Sequence, residues 1–306
     1  MIKKLLLFAF LVGVFHSVSV EGQERSLQDE TGREVRVPLS AKRIVSLAPS
    51  ITEILFALGL NSEIAGVTDF CDHPEACLTK PKIGGFVNPS LERIVSLKPD
   101  LIIGIRDGNR EETLQKLKDL GFSVYRVDPK GFDGVTKTIG NLGGITGREE
   151  AARRIVRTMT TKKEHILSLT RSLYKPKVFF QVGDAPIVTV GKGTLTHDLI
   201  QFAGGKNITE NEPMDYPLYS IEAVLTKAPE IIIMSSMDNK KDYSNLVNKW
   251  KHWRTIPAVK QNAIHVIDSN LVDRPTPRIT EGLETLARMI HPEDFWDKSP
   301  LRETRN

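Results

Sequence analysis

Residues Asn88–Gly104 read NPSLERIVSLKPDLIIG, and Leu218–Met234 read LYSIEAVLTKAPEIIIM. Ser90, Glu92, Pro99 and Asp100 of the first stretch are matched by Ser220, Glu222, Pro229 and Glu230 of the second, each 130 positions further on. Between the copies, Arg148–Tyr174 runs for 27 residues without glycine or proline and keeps apolar side chains three and four apart, the spacing of one helix face. At 1.5 Å per residue such a helix spans about 40 Å. The chain has 306 residues, about twice the usual size of a domain. A sequence that repeats itself on either side of a stiff spacer is expected to fold as two related lobes.

Each copy lies among alternating strand and helix signals. In the first half RIVSLAP, IAGVTDF, DLIIGI and SVYRVD read as strands, with SITEILFALG, SLERIVSLK and EETLQKLKDLG as the helices between them. The first of these helices opens on a Ser50/Glu53 capping box and closes at Gly59. In the second half KVFFQVG, IVTVG, EIIIMSS and AIHVID read as strands, and THDLIQFAGG and SIEAVLTKA as helices. Strands separated by helices give parallel sheets with right-handed crossovers. The expected fold class is α/β: two Rossmann-like lobes with parallel-rich sheets, residues 42–147 and 175–292, joined by one long helix over 148–174. A ligand cleft is expected between the lobes, beyond the carboxyl ends of the strands.

Residues 1–22, MIKKLLLFAFLVGVFHSVSVEG, have the pattern of a secretory signal peptide: Lys3 and Lys4, an apolar run from Leu5 to Val14 too short to span a bilayer, then small residues. No cysteine precedes Cys71 to accept a lipid near such a cleavage point. The mature chain is therefore expected free, without a lipid anchor, in a bacterial periplasm. In that compartment Cys71 and Cys77 of CDHPEAC are expected to close a local disulfide. With His73 alone beside them they make a poor zinc site. A formal charge of +4, smaller once Lys3 and Lys4 leave, supplies no basic field for nucleic acid or an anionic membrane. The seven histidines are scattered, and no G-x-S-x-G elbow, H-E-x-x-H pair or Walker A loop occurs. Neither an enzyme nor a resident cofactor or metal is expected.

Ser90 and Ser220 suit helix N-caps, and an acid in the first turn interacts favourably with the helix dipole, by about 0.3–1 kcal/mol. That local reading accounts for Glu92 or Glu222 taken singly. Two acids at equivalent places on two like lobes also form a pair of separated negative points, suited to a partner with its own twofold set of basic residues. The residues by themselves leave both readings open. Phe86 and Tyr216 share the offset and sit among Gly, Pro and Asn, hence in loops. Phe70 taken alone reads more readily as core than as cleft, and Arg106 and Arg274 read equally well as solvated surface charges.

The stretches RIVSLAPSITEILFALG, KIGGFVNPSLERIVSLKPDLII, HDLIQFAGGKNI and DRPTPRITEGLETLARMIHPE carry a resemblance that runs from Arg43 to His291. Together they resemble the periplasmic substrate-binding proteins whose two α/β lobes are joined by a single long helix, and which serve importers of cobalamin, haem and ferric siderophores. The blend is most similar to the cobalamin branch. The resemblance implies capture of cobalamin or a related corrinoid and delivery to an ABC transporter, with Glu92 and Glu222 engaging arginines on the two copies of an inner-membrane permease. The free protein would be a monomer. It implies a cleft lined by Phe70, Phe86 and Tyr216, aromatic walls for a flat corrin, with Asp273 and Arg274 meeting its amide fringe; Arg106, which follows the strand LIIGI, and Ser50 are the further candidate contacts. Two departures matter. Ile105 stands where cobalamin binders place a tryptophan, which thins one wall. Phe86 stands where haem binders place a ligating tyrosine, with Tyr216 or His197 left to substitute. Haem and ferric siderophores are the alternative cargoes.

Overall fold

Side chains on a strand alternate between the two faces of its sheet, and in this chain the alternation divides the interior into one shared core and two private ones. The computed structural model describes residues 23–236 and 243–292, so the leader-like stretch 1–22 lies outside the described residues. A hairpin, β1 (Glu24–Gln28) and β2 (Glu34–Pro38), precedes the first lobe. That lobe holds β3 (Ile44–Ser46), β4 (Ile64–Gly66), β5 (Leu101–Ile105) and β6 (Val124–Val127), all parallel in the order β4-β3-β5-β6. Its helices are α1 (Pro49–Ala57), α2 (Leu91–Ser96), α3 (Glu111–Asp119) and α4 (Gly131–Thr146), and α5 (Glu149–Thr170) leads out of it.

The second lobe is built on β7 (Lys177–Asp184), β8 (Ile187–Thr189), β9 (Lys206–Asn207), β10 (Leu218–Tyr219), β11 (Ile231–Ser236) and β12 (Ile264–Asp268). The order is β10-β8-β7-β11-β12, with β9 also on β7. Strands β7, β9, β11 and β12 run parallel, and β8 and β10 antiparallel. The helices are α6 (Leu195–Phe202), α7 (Ile221–Lys227), α8 (Ser244–Lys251), α9 (Pro257–Lys260), α10 (Ser269–Val272) and α11 (Ile279–Ile290).

Ile103 of β5, Phe180 of β7 and Ile233 of β11 turn into a single cluster with Phe132 and Ile139 of α4, Met159 and Ile166 of α5, Leu199 of α6, and Leu283 and Leu286 of α11. Their strand neighbours point the other way. Ile102 joins Ile94 and Leu114 in a core private to the first lobe, and Phe179 and Ile232 join Val224 and Trp250 in one private to the second. The lobes thus share an interior. At the seam Phe132 and Phe202 meet edge to face with centroids 5.8 Å apart, Lys163 Nζ lies 4.7 Å and 5.3 Å from the two ring centroids, and Asp198 of α6 accepts from the Phe132 backbone N–H at 3.0 Å.

Several expectations need correction. The linking helix is shorter than 148–174: α5 ends at Thr170, and at about 1.5 Å per residue its 22 residues span about 33 Å. Its entry is set by Gly147, left-handed at φ 69°, which closes α4. The stretch now seen as α4 carries five glycines in 16 residues, a composition that argues against a helix. Burial overrides it, because Phe132, Val135, Ile139 and Leu142 form one apolar face, and at Gly143 a β-carbon would run into Ala152 of α5. The Ser50/Glu53 capping box does not form: Ala48 is the N-cap and no side chain caps the helix. Nor are the cysteines joined. Both are buried free thiols, with Cys71 Sγ taken up by the hydroxyls of Thr52 and Thr68, each at 3.2 Å. Burial, then the neighbouring Cys71, pushes the Cys77 thiol up from its ordinary value.

Half of the sequence echo has a structural explanation. Asp100 accepts from the backbone N–H groups of Lys42 and Arg43, at 2.7 Å and 3.0 Å, just before β3. Glu230 accepts from the N–H of Lys177 at 2.9 Å, at the start of β7. The residues two places earlier, Lys98 and Ala228, both take left-handed backbone at φ 46° and φ 49°. One helix-to-strand corner has been built twice.

Two measurements follow from this packing. Gly143→Leu forces α4 off α5 and is expected to cost about 1–3 kcal/mol in denaturant unfolding; an unchanged midpoint would mean the two helices are not in close register there. His197, 3% exposed, is held below the ordinary imidazole value of 6.5 by burial. The folded state therefore keeps it neutral while the unfolded chain takes up a proton, so its contribution to stability is complete above about pH 6.5 and is lost as pH falls. Melting temperature is expected to drop between pH 7 and pH 5, with a shallower slope in His197→Gln. Equal slopes would contradict the assignment.

Candidate functional site

In an open parallel sheet the loops beyond the carboxyl ends of the strands form a crevice where the winding reverses. Here β3 is the first strand of its sheet, and the chain moves to β4 on one side and to β5 on the other. The loops after β3 and β5 diverge at this point. Asn109 ties them together: its Nδ2 donates to the Leu47 carbonyl at 3.0 Å and to the Phe86 carbonyl at 2.8 Å, and its Oδ1 accepts from the Ile105 N–H at 2.8 Å. One buried amide fixes the end of β3, the end of β5 and the loop that carries Phe86. Asn109 carries no sequence motif that marks this role. One partner, Ile105, is four residues away, but the two that join the loops are 62 and 23 residues away.

Phe86 is half-buried and packs against the shared core. Its ring lies directly on Gly108, where φ is 144° and a β-carbon would occupy the place of the ring. Phe70 is 60% exposed and reaches toward Gly85. The first lobe therefore presents one seated and one open ring, both at loops leaving its strands. Ser50 sits buried in the first turn of α1, whose N-cap Ala48 offers no side-chain oxygen. Ile105 is buried in the shared core, so it forms no part of the wall.

In the second lobe, Tyr216 is held by its neighbours. The Asp215 carbonyl accepts from the Gly191 N–H at 2.7 Å and the Pro217 carbonyl from the Thr189 N–H at 3.1 Å. Its ring is 59% exposed, yet burial is the largest of the causes that raise its hydroxyl pKa, followed by Asp273, Asp215 and Asp107. Asp107 belongs to the first lobe, so a charge of that lobe acts on a side chain of the second. Asp273 repeats the pattern: its surface is exposed, but burial raises its pKa against hydrogen bonds from Ser235 and Thr196, the latter at 2.9 Å.

The two arginines are engaged. Arg106 is exposed and pairs with Asp128 at 2.9 Å. Arg274 does not stand free in the opening; it bonds to Glu53 at 2.8 Å and Asp72 at 2.7 Å. His197 bonds to Asn207 inside the second lobe, with 3.2 Å between Nδ1 and Nδ2, which removes it from the gap.

Glu92 and Glu222 are exposed in the first turns of α2 and α7. Ser90 Oγ accepts from the Arg93 N–H at 3.3 Å and Ser220 Oγ from the Ala223 N–H at 3.2 Å, so both caps are made. The Glu222 carboxyl is lowered by its own backbone N–H and then by Ser220. Neither glutamate forms an ion pair with another side chain among the described residues. Each helix runs toward the amino end of the strand that follows it, β5 or β11, so both glutamates lie on the same side of the molecule as the opening.

Among the described residues no helix is long and apolar enough to cross a membrane. The chain is 31% identical over 244 residues to a vitamin B12-binding protein of Vibrio vulnificus, covering 79% of this chain and 88% of that one. It is also 31% identical over 277 residues to an uncharacterized ABC transporter substrate-binding lipoprotein of Bacillus subtilis, covering 88% and 86%. The crystal structure of the periplasmic vitamin B12-binding protein of Vibrio cholerae superposes with a TM-score of 0.73 at 28% identity, over 83% of this chain and 98% of that one. Residues 44–271, which hold both sheets, match the model of the periplasmic binding proteins, and the chain belongs to that family.

Proposed function

We propose that this chain is an exported substrate-binding protein that captures cobalamin or a related corrinoid between its lobes and delivers it to an ABC transporter permease, and that it has no catalytic activity of its own. The observation that carries the reading is that each lobe exposes an aromatic ring, Phe70 on the first and Tyr216 on the second, in a chain homologous to vitamin B12-binding proteins. A corrin is a broad apolar plate with amides at its edge, so it suits ring-bearing walls and scattered polar groups. Ser50, Phe70, Phe86, Tyr216 and Asp273 form the contact set in this reading, with Arg106 at its margin. Haem is disfavoured by Phe86, which offers iron no oxygen, and by the burial of His197.

Glu92 and Glu222 are read as the docking points for the two permease subunits. Their exposure, their equivalent positions and their lack of ion pairs support this. Complementary charge at such points guides association and fixes orientation.

Cyanocobalamin at about 100-fold its Kd is expected to stabilise the fold by about 2.7 kcal/mol, several degrees in melting temperature. A curve that ignores cyanocobalamin but moves with haemin or a ferric siderophore would replace the corrinoid with that cargo. In the double variant Glu92→Arg, Glu222→Arg the shift with cyanocobalamin is expected to persist while cellular uptake of the labelled vitamin stops, since loss of the helix-dipole terms costs only about 0.3–1 kcal/mol each. Loss of ligand binding in that variant would assign the glutamates to capping, and uptake at the parent rate would remove them from docking.

A further inference from the structure

Four charged side chains meet between the lobes. Glu53 of α1, 4% exposed, accepts from Arg274 Nη1 at 2.8 Å and from Arg278 through Nε and Nη2, each at 2.9 Å. Arg274 Nη1 also donates to Asp72 at 2.7 Å. Both acids belong to the first lobe and both arginines to the second, more than 200 positions along the chain. The charges balance, and the Arg278 pairing is a two-point fork, which fixes direction as well as distance. Burial would raise the Asp72 carboxyl, but the Arg274 hydrogen bond and charge hold it below its ordinary value.

Position gives the cluster its meaning. Glu53 lies in the helix that follows β3, Asp72 lies two residues after Phe70 in the loop beyond β4, and the arginines follow β12 and α10. All three segments leave the carboxyl ends of parallel strands, so the cluster spans the side of the molecule where the cleft opens. The apolar seam of Phe132, Phe202 and Lys163 joins the lobes elsewhere, through α4, α5 and α6. A body attached at one seam can rock about it; a second attachment, away from the first, removes that freedom.

We infer that Glu53, Arg274, Arg278 and Asp72 form an interlobe clasp that fixes the width of the cleft, and that Arg274 is a positioning residue that holds the Phe70 loop through Asp72. A buried ion pair is a poor source of net stability because desolvation offsets the attraction. Its directional geometry still selects one arrangement of the lobes. The inference stands whichever cargo the cleft carries.

The test measures the lobe separation directly. Nitroxide labels at Lys116→Cys on α3 and Lys227→Cys on α7, with the buried native thiols left unmodified, report the distance distribution between the lobes by pulsed electron spin resonance. Glu53→Gln is expected to widen that distribution about twofold with unchanged secondary structure. Arg153→Gln, which breaks an exposed pair with Glu150 on α5, is expected to leave it at the parent width. Arg274→Ala should widen it, and Arg274→Lys should recover part of the narrowing. A lower melting temperature in Glu53→Gln with the parent width retained would reduce the cluster to a stability element and overturn the proposal. Should Glu53→Gln fail to fold, Asp72→Asn decides, because it removes only the exposed arm: widening supports the clasp, and the parent width refutes it.

Discussion

The shared apolar core is the constraint on which the other features depend. Two lobes joined by a helix alone would bend and twist about it, and anything placed on opposite lobes would drift apart. In this molecule the inward faces of both sheets and the helices α4, α5, α6 and α11 bury their side chains in one cluster. Separating the lobes would expose that cluster, at about 25 cal/mol for every Å² of apolar surface returned to water. The placement of Phe70 relative to Tyr216, on opposite lobes, consequently depends on this packing. The spacing of Glu92 and Glu222 depends on it in the same way.

Much of this was legible because it is local. Strand alternation, the serine caps of α2 and α7 and the proline-acid corners depend on residues within a few positions of each other, and the structure has each of them. The misreadings share the opposite property. Helix α4 looks broken by its glycines until Ala152 is seen to need the space at Gly143. Glu53 completes a capping-box pattern on paper, but two arginines 221 and 225 positions away claim its carboxylate. A motif states which local bonds are possible; it does not state which distant partners compete for the same atoms.

The site shows the same division. Phe86 and Tyr216 were found through the repeat, since a shared offset and glycine-rich neighbours place both in equivalent loops. Their different burial was not legible, because it comes from Gly108, which seats one ring against the first lobe, and from the Asp215 and Pro217 carbonyls, which hold the other in the open. Asn109 was missed for a related reason. An asparagine at a helix entrance is ordinary, and only the fold brings Leu47, Phe86 and Ile105 to the same amide. Arg274 was read by type and location as a ligand contact, and the structure gives it two carboxylates before any ligand arrives.

The repeat can now be separated into a part that folding explains and a part that it does not. Asp100 and Glu230 satisfy backbone donors at the starts of β3 and β7, so any duplicated lobe would keep an acid at those corners. Ser90 and Ser220 satisfy first-turn donors in the same way. Glu92 and Glu222 differ from these. Their dipole interaction is worth a fraction of a kcal/mol and is available to an aspartate or to an acid one position away, and no basic side chain forms an ion pair with them among the described residues. An exposed acid that the fold barely uses, present at the same corner of both lobes and on the side where the cleft opens, speaks for a charge requirement that lies outside the chain.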